Sequence, residues 1–134
     1  MMTHDELKAA AVSMLDRAYV PYSHFPVGAA LECADGTVYT GCNVENAAYP
    51  AGTCAERNAI FHAVAEGHTS FRRIVVAGKS QDFCVPCGMC RQVMREFAPE
   101  LEIICLNGAG EEQAFTLEQL LPYSFGPDHL SYLG

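Results

Sequence analysis

Arg73-Ile74-Val75-Val76-Ala77-Gly78, followed by Cys84-Val85-Pro86-Cys87-Gly88-Met89-Cys90-Arg91-Gln92, decides how this chain folds. The first run is strand-like, and the second continues into Val93-Met94-Arg95-Glu96-Phe97 with helical character. Cys87 and Cys90 therefore fall near a helix N-terminus, three apart and on one face. Earlier in the chain stands Thr53-Cys54-Ala55-Glu56-Arg57, where Cys54 precedes a helix-like segment over 55–66 with Gly67 as its C-terminal cap. Three thiols from two helix starts can converge on one metal ion.

Three cysteines without an obvious fourth ligand predict a zinc site that keeps one position open for water, the catalytic rather than the structural arrangement. Glu56, two residues after Cys54, is placed to handle that water's proton. Three thiolates on a divalent ion leave a net negative charge, which raises the pKa of bound water. Arg57, on the Cys54 side of the helix, can offset it, and two helix N-termini add roughly +0.5 each. Other readings stay open on the residues alone. Cys84 and Cys87 can be a thioredoxin-type redox pair, or Cys84 can be a fourth ligand that closes a structural site. Neither accounts for Glu56 or Arg57, which otherwise read as a helix N-terminal charge and a surface ion pair. Cys33, Cys42 and Cys105 fall in strand-like runs and read as core. The five histidines are dispersed, and none has the spacing of a partner to Cys54.

At 134 residues the chain fits one domain, 1–134, large enough to bury a core without disulfide staples. A net charge of -8 with only eight Lys and Arg argues against nucleic acid as a partner, since phosphate binding draws on clustered cations. The odd count of seven cysteines and the polar start point to a reducing, cytoplasmic location. No apolar run approaches the ~20 residues that span a bilayer, so no membrane association is expected.

Thr3-His4-Asp5-Glu6 reads as a capping box for a packing helix with Leu7, Ala11, Met14, Leu15 and Ala18 at helical spacing. Pro21 and Pro26 bracket a loop whose Phe25 reads as a core plug in preference to the wall of a site. Residues 27–33 and 37–43 are strand-like around Asp35-Gly36, a hairpin signal, and a loop carrying Glu45 follows them. Pro99 stops the helix over 87–97, and 101–106 reads as a buried strand. Asn107-Gly108-Ala109-Gly110 then turns directly into 111–116, leaving no room for a crossover, so the fifth strand should run antiparallel to the fourth. A short helical turn over 116–121 and an aromatic tail follow.

The metal motif resembles that of zinc-dependent nucleobase deaminases. With Phe25-Pro26-Val27-Gly28-Ala29-Ala30, Asn43-Val44-Glu45-Asn46-Ala47, Cys54-Ala55-Glu56-Arg57 and Pro86-Cys87-Gly88-Met89-Cys90-Arg91-Gln92, the chain resembles the small homotetrameric cytidine deaminases through nearly its whole length. That resemblance implies a three-layer α/β/α fold with a five-stranded mixed sheet. It also implies hydrolysis of cytidine and deoxycytidine to uridine, deoxyuridine and ammonia in pyrimidine salvage. Cys54, Cys87 and Cys90 would hold one Zn2+ per subunit, and Glu56 would carry protons between the attacking water, N3 and the departing amine. Asn43 and Glu45 would bind the ribose hydroxyls, Phe25 would pack on the base, and the Ala55 amide would meet the base carbonyl. Adjacent subunits of a homotetramer would complete each site, through Tyr49 and Phe125. Val85 stands where serine is common among relatives, and the family contact there uses the backbone carbonyl. Polynucleotide deaminases share the metal motif, but the direct turn at 107–110 disfavours them; blasticidin-type deaminases lack Glu45. A zinc domain that only mediates assembly is the non-enzymatic alternative.

Overall fold

The computed structural model describes residues 1–133, with side chains through Leu130. Thr3 caps the first helix, α1 (His4–Ser13): its hydroxyl accepts from the Glu6 amide, and the Glu6 carboxylate accepts from the Thr3 amide, both at 3.1 Å. Leu7 and Ala11 are buried along one stripe, while Leu15, also buried, already belongs to a 3-10 turn (Met14–Arg17) that ends the helix before Ala18.

Two antiparallel strands follow, β1 (Val27–Cys33) and β2 (Val38–Cys42), joined through Asp35-Gly36. Helix α2 (Ala55–Ala65) closes on Gly67, whose φ of +91° suits glycine. There the Gly67 amide reaches Val64 O at 3.0 Å and the His68 amide reaches Ala63 O at 2.9 Å, a Schellman pairing. The next strand, β3 (Phe71–Gly78), begins at Phe71 instead of Arg73: a register shift at Glu32/Cys33 leaves Arg72 of β3 as the extra residue and lets pairing resume with Cys33 opposite Phe71. Then come α3 (Gly88–Phe97), β4 (Glu102–Leu106), β5 (Glu112–Thr116) and α4 (Leu117–Leu120). Thr116 and Gln119 form a second capping box, which explains the abrupt switch from β5 to α4.

The sheet order is β2-β1-β3-β4-β5, with β3 and β4 parallel and every other pair antiparallel. The fifth strand thus returns along the fourth, as the direct turn requires. Period-2 alternation divides the sheet's two faces. Ala30, Val75, Ala77, Ile104 and Leu106 pack under α1, whereas Ala29, Leu31, Ile74, Val76, Ile103 and Cys105 pack with Ala59, Ile60 and Ala63 of α2 and Cys90 and Met94 of α3. This is the three-layer α/β/α arrangement. Glu32 is fully buried and pairs with Arg73 at 3.1 Å.

Since β1 is antiparallel to both β2 and β3, the last two point the same way, and the loops leaving their C-terminal ends meet at one edge. Gly41 lets α2 lie tight on β2 there, because a Cβ at that position would sit 2.5 Å from Ala55 O and 2.6 Å from the Ala59 amide. Asn58 fixes the same contact, its side-chain amide donating to Cys42 O at 2.7 Å. Cys42 itself is partly exposed, unlike the buried Cys33 and Cys105. It ends an edge strand, so the core reading of the sequence holds for two of those three thiols.

Candidate active site

Cys54 and Cys87 are the residues immediately before α2 and α3, and Cys90 lies in the first turn of α3. The two helix starts bring their sulfurs together: Cys54 and Cys87 are 3.9 Å apart and Cys87 and Cys90 are 3.6 Å apart. All three lie within 4.8 Å of one another. Cys84 stays out of this group. Its amide donates to Leu106 O at 3.1 Å, and its side chain packs in the core against Gly78, where burial pushes the thiol up to about 12. The fourth-ligand and redox-pair readings of Cys84 both fail on that placement.

Glu56, 4% exposed, lies beside the thiols, and burial pushes its carboxyl up to about 7. Arg57 Nη2 donates to Cys54 Sγ at 3.3 Å. The Cys54 thiol is held below its usual range, first by a hydrogen bond from Cys90 and then by Arg57; Cys90, donor of that bond and buried, is shifted upward.

A cavity of about 500 Å³ opens beside Cys54 and Arg57, walled by Tyr22, Ser23, Asn43, Glu45 and Tyr49 among others. Tyr22 and Tyr49 meet edge to face, with ring centroids 5.8 Å apart. Phe25 is 44% exposed, not a core plug: its amide donates to Ser23 Oγ and its carbonyl accepts from Asn43 Nδ2, which tie its backbone to two residues that line the cavity. Tyr49 lines the cavity of its own chain, and Phe125 does not. The Phe125 segment is instead pinned to α3. Gln92 donates to Phe125 O at 2.8 Å, Arg95 bonds Ser124 and Asp128, and the Phe125 ring stacks on His129 at 5.2 Å.

A family model described as "Cytidine and deoxycytidylate deaminase zinc-binding region" matches residues 1–106. The chain belongs to the cytidine deaminase family. It is 44% identical over 132 residues to a cytidine deaminase of Sporosarcina psychrophila, covering 98% of this chain and 97% of that one. It is 41% identical over 133 residues to a probable cytidine deaminase of Dictyostelium discoideum, covering 96% and 90%. Among solved structures, cytidine deaminase from Burkholderia pseudomallei matches with a TM-score of 0.89 and 46% identity over 92% of this chain and 100% of that one.

The residues present fit the zinc of a cytidine deaminase. Two thiolates at about 2.3 Å from a tetrahedral ion stand roughly 3.8 Å apart, and the measured separations of 3.6 and 3.9 Å bracket that value. Arg57 Nη2 already bonds Cys54 Sγ, and Arg57 Nε is buried without a hydrogen-bond partner among the described residues. The sequence reading missed Tyr22, Ser23 and Asn58. Asn-to-carbonyl and amide-to-carboxylate contacts across the fold leave no mark in local spacing.

Proposed function

We propose that this cytidine deaminase family chain hydrolyses the C4–NH2 bond of cytidine and deoxycytidine, giving uridine or deoxyuridine and ammonia, as a step of pyrimidine salvage. The observation that carries the reading is the buried Glu56 carboxyl beside the Cys54–Cys87–Cys90 thiol group, whose Cys54 lines the same cavity as Asn43 and Glu45. Held by those thiolates, zinc supplies Lewis acidity that makes water nucleophilic near neutral pH.

Glu56 takes one proton from the attacking water and delivers it to N3 as the oxygen bonds to C4; it then takes the remaining proton of that C4 hydroxyl and passes it to the amine, so the carbonyl forms as the C4–N bond breaks and ammonia leaves. A buried carboxyl, which burial favours in its neutral form, can both accept and return that proton. Arg57 draws charge from Cys54, and the N-termini of α2 and α3 aim their dipoles at the thiolates. The Ala55 amide, in the first turn of α2, donates to the base carbonyl, and the Val85 carbonyl accepts from the leaving amine. Phe25 packs on the base, and Asn43 and Glu45 hold the sugar.

Residues 1–134 act as one domain in the cytoplasm, in a homotetramer whose neighbouring subunits bring Phe125, and aromatic contacts from the Tyr49 loop, to each cavity. The exposure of Phe25, Tyr49, Tyr123 and Phe125 supports such packing. The net charge of -8, and the engagement of Arg57, Arg72, Arg73, Arg91 and Arg95 within the chain, support a reading without a nucleic-acid partner. No helix among the described residues is long and apolar enough to cross a membrane. Loss of cytidine absorbance, followed with and without a chelator on protein of known mass in solution, tests the reading. Chelator-sensitive conversion by a tetramer supports it, and zinc-replete protein that converts no nucleoside rejects it.

A further inference from the structure

Val44 is bridged to Tyr19 on one side and Thr53 on the other, so residues 43–45 run extended and the Asn43 and Glu45 side chains share a face. Most of their hydrogen-bonding capacity is already used. Asn43 Oδ1 accepts from the Val27 amide at 2.9 Å and Nδ2 donates to Phe25 O at 2.8 Å, leaving one N–H and one lone pair. Glu45 Oε1 accepts from the Tyr22 amide at 3.0 Å and the Ser23 amide at 3.1 Å, and Oε2 accepts a short bond from the Ser23 hydroxyl. Of a carboxylate's roughly four acceptor positions, one remains, on Oε2. The Ser23 hydroxyl is itself fixed, because its oxygen accepts from the Phe25 amide at 3.0 Å and its only proton is committed to Glu45.

We propose that Ser23 is a positioning residue for sugar recognition: by occupying one side of Glu45 Oε2, it restricts Glu45 to reading a single sugar hydroxyl instead of a vicinal pair. The inference rests on Asn43 and Glu45 being the sugar contacts. One hydroxyl donates to the last acceptor position of Glu45 and accepts the spare N–H of Asn43, which uses the remaining capacity of Glu45 and the last donor of Asn43. A second hydroxyl finds no acceptor on Glu45. Without the Ser23 hydroxyl, Oε2 gains an open position and the carboxylate is anchored only through Oε1.

The test compares zinc-loaded wild type, Ser23→Ala, Ser23→Thr and Glu45→Gln on cytidine, 2′-deoxycytidine and 3′-deoxycytidine. Wild type should lose about tenfold or more in kcat/KM on one deoxynucleoside and little on the other. Ser23→Ala should raise KM for cytidine roughly tenfold, hold kcat within about twofold, and narrow the gap between the two deoxynucleosides. Ser23→Thr should restore both. A wild type that loses strongly on both deoxynucleosides, or a Ser23→Ala enzyme changed by one factor on all three substrates, overturns the proposal. Glu45→Gln separates the two layers. If Glu45→Gln keeps the wild-type gap, the sugar-reading assignment itself fails; if it loses the gap while Ser23→Ala keeps it, only the role of Ser23 fails.

Discussion

The Arg57 guanidinium donates to Cys54 Sγ at 3.3 Å from the first turn of the same helix, and its own Nε has no partner among the described residues. A cation bonded to a sulfur ligand lowers the charge that sulfur presents to a metal, and a neighbour that orients a ligand also holds it in place.

Arg57→Ala should therefore weaken zinc retention by about ten- to a hundredfold, read as the chelator concentration that removes half of the metal. The acid limb of the rate profile should move to higher pH in the same variant, since uncompensated thiolates make water harder to ionise. Retention and profile both matching wild type would remove Arg57 from the mechanism.

Glu56→Gln keeps the shape of the side chain and removes its ability to accept a proton. The variant should bind zinc as wild type does and lose about 10²–10⁴ in kcat, measured by metal analysis and nucleoside turnover. Turnover close to wild type would mean that another group moves the proton.

Gly41→Ala introduces a methyl 2.5 Å from Ala55 O and 2.6 Å from the Ala59 amide. Backbone on both sides cannot yield as a flexible side chain would, so α2 must shift. The expected cost is about 1–3 kcal/mol in urea unfolding, with weaker zinc retention because α2 carries the link to Cys54. An unchanged midpoint would show that α2 rides freely on β2.

Glu112 accepts from Lys8 Nζ at 3.0 Å and from His4 Nε2 at 3.0 Å, tying β5 to α1. The Lys8 bond, then that of His4, holds its carboxyl below the ordinary 4.5. A depressed folded pKa means that the folded state favours the ionised form. The contribution is complete above about pH 4.5 and disappears as pH falls through the folded value. Glu112→Gln should lower Tm slightly at pH 7, by an amount corresponding to well under about 1 kcal/mol because the pair is partly exposed, and the difference should shrink as pH falls from 4.5 through the folded value. A Tm difference that persists in acid would assign the effect to packing.

Much of the fold was legible because its signals are local. The Thr3–Glu6 box, the Asp35-Gly36 hairpin, the Gly67 cap and the direct turn at Asn107 each depend on neighbours within a few residues, and each stands where the sequence puts it. The thiol group was legible for the same reason: two helix starts set the direction of Cys54, Cys87 and Cys90. The second capping box, at Thr116 and Gln119, was equally local and went unread.

By itself, the sequence determined the α/β alternation, the antiparallel last strand and which three cysteines can share an ion, because residue spacing and capping act over single turns. Tertiary structure alone decided that Cys84 turns into the core, that Phe25 stays half exposed, and that the Tyr22–Ser23 loop grips Glu45. Those outcomes depend on contacts between segments far apart in the chain, where burial and hydrogen-bond satisfaction are settled by packing and not by local pattern.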